Sequence, residues 1–146
     1  MEVLILVVVI ILSILLFIKS VNSKSREKNI RSGIEYEKKV GKYYQNKGYD
    51  VDYNGIEKGL KDGGIDLICK NDEEILLIQC KNWQKWKIRH IHVKAFHSDS
   101  VKYIDENNLN KKYVKLKYAI PNNQILHNSA INIFRNSYYN CRYEII

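Results

Sequence analysis

Polar side chains interrupt two segments that otherwise have the composition of buried strands. Asp66 lies inside the apolar segment 65–68, and Gln79 and Lys81 end an apolar run that begins at Ile75. Side chains alternate between the two faces of a strand, so Gln79 and Lys81 share one face. Burying a carboxylate or an ammonium group is costly unless the group is paired or bound to a metal. These residues therefore indicate chemistry rather than packing.

A helix that precedes these strands supplies another carboxylate. The segment Ser32–Glu35 has the form of a capping box and predicts a helix that begins there and runs to about Lys47. Glu37 falls on the apolar side of this helix. A carboxylate at the edge of a core-facing side can also simply reach water, so a functional and a structural role for Glu37 both stay open. The other members of the apolar side are Tyr36, Val40, Tyr43 and Tyr44.

Helical and strand patterns alternate along the rest of the chain. This alternation predicts an α/β sandwich with a central mixed β-sheet flanked by helices. The predicted strands are 49–53, 65–69, 74–81, 113–120 and 139–145, and the predicted helices after the first are 88–104 and 125–136.

The motifs together resemble the Mrr-type catalytic domain of the PD-(D/E)XK nuclease superfamily. Three motifs match in order and spacing: Tyr36-Glu37 in the first helix, the Asp-Gly-Gly-Ile-Asp turn at 62–66, and Gln-Cys-Lys at 79–81. The resemblance covers about residues 30–146. Gln79 departs from the usual Glu of the superfamily but is normal for the Mrr branch. The resemblance implies a restriction-endonuclease-like fold and a DNA endonuclease activity.

Phosphodiester hydrolysis of this type implies Mg²⁺ as the cofactor, with Mn²⁺ as a substitute. Hard cations take oxygen ligands. The resemblance makes Asp66 the principal ligand, the Gln79 side-chain oxygen and the Cys80 backbone carbonyl further ligands, and Glu37 an outer or second-metal ligand. Lys81, a donor, would contact the scissile phosphate and hold or help to deprotonate the attacking water.

Several other polar residues are assigned structural roles. Asp62 stands beside Gly63 and Gly64, which supply the backbone freedom of a tight turn, so it is interpreted as a turn residue. Three cysteines without paired spacing indicate a reducing compartment. The four histidines show no zinc pattern with these cysteines.

The N-terminus is apolar from Val3 to Ile18 apart from Ser13. Its length falls slightly short of the hydrocarbon core of a bilayer, a mismatch that membranes accommodate. We expect an uncleaved transmembrane anchor over residues 1–18, a basic juxtamembrane linker over 19–31 and a nuclease domain over 32–146. The basic flank predicts a single-pass protein of the inner or plasma membrane with a cytoplasmic nuclease domain. Its cations are Lys19, Lys24, Arg26, Lys28 and Arg31.

A net charge of +8 and a pI near 9.3 suit a polyanionic partner. The segment 81–89 interleaves cations with two tryptophans, and it predicts a DNA-binding surface made by Lys85, Trp86, Lys87 and Arg89. The alternative is that the tryptophans pack on the domain and the cations are only solvated.

The sequence therefore predicts a membrane-anchored, Mg²⁺-dependent DNA endonuclease. The alternative is a catalytically inactive nuclease-fold protein that binds DNA at the membrane. The expected partners are DNA and the membrane, and the resemblance leaves room for a homodimer.

Overall fold

The computed structural model describes residues 2–59 and 63–146. The chain forms two compact units, divided between Ser32 and Gly33. Each unit is described by itself below.

Helix α1 spans Glu2–Gln45. The helix start predicted at the Ser32 capping box is therefore wrong, and the predicted linker, residues 19–31, is helical. The physical reason is that residues 24–31 are rich in Lys, Arg and Glu, which favour helix, and contain neither proline nor glycine. An N-cap residue also needs a non-helical backbone, which Ser32 does not have inside a continuous helix.

Within the described residues, no helix is long and apolar enough to cross a membrane. This finding does not support the predicted transmembrane anchor. Part of that anchor, Met1 and the side chains of residues 2–6, 8 and 9, lies outside the description.

The unit 33–146 is built on one five-stranded mixed sheet, as predicted. The strand order is β1-β2-β3-β4-β5. Strands β1, β2 and β3 pair antiparallel, whereas β3, β4 and β5 pair parallel. The strands are β1 Asp50–Asp52, β2 Leu67–Lys70, β3 Ile75–Cys80, β4 Val114–Ile120 and β5 Cys141–Ile145.

Among its described residues, this unit has three further α-helices. They are α2 Asn54–Lys58, α3 His90–Glu106 and α4 Asn128–Arg135, and short 3-10 helices lie at Lys111–Tyr113, Asn123–Ile125 and Ser137–Tyr139. Helix α2 has no counterpart in the sequence prediction. Helix α3 connects the parallel strands β3 and β4, as expected for a crossover connection.

The sheet separates two apolar cores, and the alternation of β3 decides which side chain enters which. Leu76, Ile78 and Cys80 pack with the α1 residues Tyr36, Val40 and Tyr44. Leu77, on the opposite face, packs in the second core, which includes Phe96 of α3, Phe134 of α4 and Tyr118 of β4. This face contains Gln79 as well, as the predicted alternation required.

The topology brings strand ends that carry polar residues together at one edge of the sheet. Strand β3 ends at Cys80, and β2, which runs antiparallel to β3, begins at Leu67 opposite Ile78. Asp66, just before β2, therefore lies beside Gln79 at the carboxyl end of β3. Helix α3 begins at this edge and runs back toward the start of β4.

Candidate active site at the carboxyl end of β3

Asp66 is buried and its carboxylate is held by β3. Its Oδ2 atom accepts hydrogen bonds from the Gln79 side-chain amide at 2.5 Å and from the Cys80 backbone N–H at 2.6 Å. Only 6% of Asp66 and 7% of Gln79 is exposed. Because burial strengthens these charge-assisted bonds, the carboxylate is fixed in one orientation.

The Gln79 contact uses the amide nitrogen, whereas the sequence assigned the amide oxygen to a metal. The atom that contacts Asp66 is the nitrogen, and the oxygen assigned to the metal is the other polar atom of the same amide. Gln79 is therefore first of all a support for Asp66, and its metal contact stays a prediction.

Glu37 reaches the same place from α1. A methyl group on Gly55 would lie 3.0 Å from Oε2 of Glu37 and 3.3 Å from Oδ1 of Asp66. The two carboxylate oxygens are therefore separated by no more than the sum of these distances. Of the two roles left open for Glu37, the functional one agrees with this placement.

Helix α2 holds the backbone of the segment that carries Asp66. The Gly55 N–H donates to the Asp66 carbonyl at 2.8 Å, and the buried Asn54 amide donates to the Ile65 carbonyl at 2.6 Å. Sequence reasoning missed both residues. Asn-Gly is usually a turn signal, and only the tertiary contacts assign it to the site.

Cys80 is a buried thiol surrounded by the charged residues of the site. Burial first, and then the nearby Asp66 and Glu37, raise the pKa of the thiol well above its ordinary value, and Lys81 opposes this increase. The thiol is therefore neutral at physiological pH. The contact between Cys80 and Asp66 is made by the Cys80 N–H. The ligand role of the Cys80 carbonyl therefore stays a prediction.

Lys81 continues β3 beyond its last residue. Its N–H donates to the Ala119 carbonyl of β4 at 3.0 Å. Its Nζ atom lies 5.9 Å from the centre of the Trp83 ring, and that ring contacts His92 edge to face with centroids 5.0 Å apart. Trp83 is therefore packed against the domain and helps to place Lys81.

The segment after Trp83 is exposed. Trp86 is 76% exposed, and Lys85, Lys87 and Arg89 are exposed beside it. Ile88 anchors this segment, since its N–H donates to the Ile125 carbonyl at 2.7 Å and its side chain is fully buried. The four residues predicted to bind DNA thus form one surface next to Lys81. We call this surface the basic loop.

The residue Asp62 lies outside the described residues, so its predicted turn role stays a prediction. The two glycines that follow it have φ angles of +63° at Gly63 and +74° at Gly64, as a tight turn requires. A methyl group on Gly64 would lie 2.7 Å from Oδ2 of Asp99. Asp99 of α3 thus packs on this turn, a contact that no sequence motif indicates.

The oxygen atoms available as ligands at this edge are of the type that Mg²⁺ takes: two carboxylates, an amide oxygen and a backbone carbonyl. Among the residues that the structure describes, no group of three or more His, Cys, Asp or Glu side chains is arranged to hold a metal ion. Mg²⁺ sites often use only one or two carboxylates and take the remaining ligands from water and substrate phosphates. The residues present therefore fit such an ion.

Comparison with known proteins agrees with this geometry. A search of curated proteins found no significant match. The model of the Mrr catalytic family, described as restriction endonuclease, matches residues 30–110. This match contains Glu37, Asp66, Gln79 and Lys81 and covers more than half of the chain. The chain therefore belongs to the Mrr-type restriction endonuclease family, whose catalytic domain is of the PD-(D/E)XK nuclease type.

Proposed function

We propose that the protein is a Mg²⁺-dependent endodeoxyribonuclease that hydrolyses phosphodiester bonds at the carboxyl end of β3. The observation that carries this proposal is the buried Asp66 carboxylate, fixed by Gln79 and the Cys80 N–H, with the Glu37 carboxylate close by. A buried carboxylate with a second, partly buried carboxylate beside it forms a place where a divalent cation is favourable. The family match supports DNA as the substrate.

The roles of the residues follow from their positions. The Oδ2 atom of Asp66 is engaged by β3, so Oδ1, on the side of Gly55, is the oxygen that would hold the ion together with Glu37. A bound divalent cation supplies Lewis acidity and lowers the pKa of water. Lys81 adds a positive charge that binds the scissile phosphate and orients the attacking water. The basic loop holds the neighbouring phosphates.

The test is DNA cleavage by the purified full-length chain with Mg²⁺ or Mn²⁺. Asp66→Asn keeps the shape of the side chain but removes its charge. Lys81→Ala removes the ammonium group that would bind the scissile phosphate. Each change should lower the cleavage rate at least ~10²-fold, because each removes stabilisation of the transition state. DNA affinity should change little in comparison.

A matched control is Glu106→Gln. Glu106 is exposed on α3 and pairs with Lys102 at 3.8 Å near the end of the helix remote from the site. This variant should cut DNA like the unaltered protein. Full activity in Asp66→Asn or in Lys81→Ala would overturn the site assignment. DNA binding without any cleavage by the unaltered chain would favour the inactive DNA-binding alternative.

We also propose that residues 1–18 anchor the protein in the inner or plasma membrane with the nuclease domain in the cytoplasm. The support is the apolar sequence, its basic flank and the exposure of the described apolar side chains, for example Leu16 at 67% and Phe17 at 70%. A reporter fused after Ile146 should remain with carbonate-washed membranes and report the cytoplasm. Recovery of the full-length chain in the wash, or an external reporter signal, would contradict this placement. The homodimer stays a prediction.

A further inference from the structure

We propose that Gly55 is a positioning residue of the nuclease site: because it has no side chain, the carboxylates of Glu37 and Asp66 can converge on one divalent cation. This inference rests on the proposed function. It assigns to α2, which no sequence motif predicted, the task of setting the distance between the two acids.

The lack of space for a side chain, rather than the backbone conformation, explains why position 55 is a glycine. Gly55 is not among the glycines with positive φ, which are Gly48, Gly59, Gly63 and Gly64. Alanine favours a helix more than glycine does. The stability of α2 itself therefore gives no reason for a glycine at this position.

The space that the missing side chain leaves is bounded by the two acids. A methyl group on Gly55 would lie 3.0 Å from Oε2 of Glu37, 3.1 Å from Cα of Asp66 and 3.3 Å from Oδ1 of Asp66. Each of these distances is shorter than ordinary van der Waals contact between carbon and its neighbours. An added methyl group must therefore displace α2 or move the carboxylates.

Helix α2 is poorly able to move away. The Gly55 N–H is bonded to the Asp66 carbonyl at 2.8 Å, and the Asn54 amide, on a residue only 1% exposed, is bonded to the Ile65 carbonyl at 2.6 Å. Breaking such buried bonds is costly, because it leaves buried polar groups without partners. On Asp66, Oδ2 is fixed by β3. The Glu37 carboxylate, at the end of a longer side chain, is the group expected to yield.

The experiment compares Gly55→Ala with Gly33→Ala in the full-length chain. Gly33 has no atom within 4 Å of its added methyl group and belongs to α1, so it is the matched control. Mn²⁺ affinity is measured by titration calorimetry without DNA, and cleavage is measured as a function of Mg²⁺ concentration. Gly55→Ala should weaken Mn²⁺ binding by roughly 10-fold or more, as substitutions behind metal ligands do, and Gly33→Ala should not.

A compensating substitution tests the assigned cause. Glu37→Asp shortens the side chain by one methylene and withdraws its carboxylate from the added methyl group. In the Gly55→Ala background, Glu37→Asp should therefore cost much less Mn²⁺ affinity than it costs in the unaltered protein. Additive losses would contradict a direct coupling between the two positions.

A purely structural effect has a different signature. Such an effect would lower the melting temperature and leave the Mn²⁺ affinity of the folded protein unchanged. Gly55→Ala with that same pattern would overturn the inference. If Gly55→Ala fails to fold, the double variant Gly55→Ala, Glu37→Asp should fold again. A double variant that also fails to fold would contradict the inference.

The outcomes separate this inference from the proposed function. Absence of Mn²⁺ binding and cleavage in the unaltered chain would contradict the proposed nuclease. Normal binding in both the unaltered chain and Gly55→Ala would contradict only the role of Gly55.

Discussion

The Asp66 carboxylate accepts two hydrogen bonds on Oδ2, from the Gln79 amide and from the Cys80 N–H. Of these two bonds, the one from Gln79 is made by a side chain and can therefore be changed by substitution. An amide can donate to the carboxylate, whereas the Glu that is usual in the superfamily would set two negative charges against each other. The amide thus suits a site that must remain folded without its ion.

We predict that Gln79→Glu destabilises the cation-free protein by about 1–3 kcal/mol, because a buried hydrogen bond is replaced by repulsion. A divalent cation between the acids should restore a large part of this loss. Thermal unfolding followed by circular dichroism, in EDTA and in Mg²⁺, measures the difference. Gln79→Ala is the control, since it removes the bond without adding charge. Equal deficits of Gln79→Glu in both buffers would disprove this explanation.

Sequence reasoning singled out the candidate residues that break an apolar pattern. Asp66, Gln79 and Lys81 were recognisable because charge and amide groups are rare in buried strands. Gly55 and Asn54 were not, because their role depends on contacts with residues distant in sequence. No periodicity reports such contacts.

At the scale of secondary structure, the five strands and the helices α3 and α4 were predictable, whereas α2 and the start of α1 were not. The predicted strand 113–120 corresponds to Val114–Ile120, and the predicted helix 88–104 corresponds to His90–Glu106. The five-residue α2 has too little length for a period. The start of α1 was misplaced because a capping motif is also compatible with a helix interior, where nothing interrupts the hydrogen bonding.

The contact between α1 and the edge strand β5 depends on Glu144. Its carboxylate accepts hydrogen bonds from Tyr43 at 2.6 Å, Tyr44 at 2.7 Å and Lys47 at 3.2 Å, and Lys117 lies 3.7 Å away. Burial raises the pKa of Glu144, but these donors together outweigh burial and lower it from 4.5 to about 2. The carboxylate therefore stabilises the folded state when it is charged.

We predict a pH-dependent effect of Glu144→Gln. Because the folded pKa lies below the unfolded one, the stabilising contribution is complete above pH 4.5 and is lost as the pH falls toward 2. Glu144→Gln should therefore cost about 1–3 kcal/mol at pH 7 and progressively less below pH 4.5. Urea unfolding at pH 7, 5 and 3 measures the gap between the two proteins. A gap that is constant with pH would contradict the assigned pKa.

For the whole molecule, we expect DNA binding to depend on the position of positive charge more than on its amount. The chain carries a net charge of +8, but the basic loop adjoins Lys81, whereas Lys111 and Lys112 immediately precede β4. Since β3 and β4 are parallel, the start of β4 and the end of β3 lie at opposite edges of the sheet. Two sets of cations can therefore be compared at equal charge.

The last prediction concerns DNA binding by an uncleaving Asp66→Asn protein. Replacing Lys85, Lys87 and Arg89 by alanine should flatten the dependence of log affinity on log salt concentration by about 0.9 per lost phosphate contact, since fewer counterions are released from duplex DNA. Affinity for unrelated sequences should fall by similar factors, because phosphate contacts carry no base information. The measurement is a fluorescence-anisotropy titration of several duplexes at several salt concentrations.

The matched control for this prediction replaces three exposed lysines at the far edge of the sheet, namely Lys102, Lys111 and Lys112. Lys102 and Lys111 are each in an ion pair, and Lys112 is next to Lys111. It removes the same charge, so it should leave the salt slope nearly unchanged if contact, rather than net charge, is responsible. Equal slopes for the two triple variants would show that the basic loop acts only through the overall field of the protein. A loss confined to one duplex sequence would instead assign base reading to the loop.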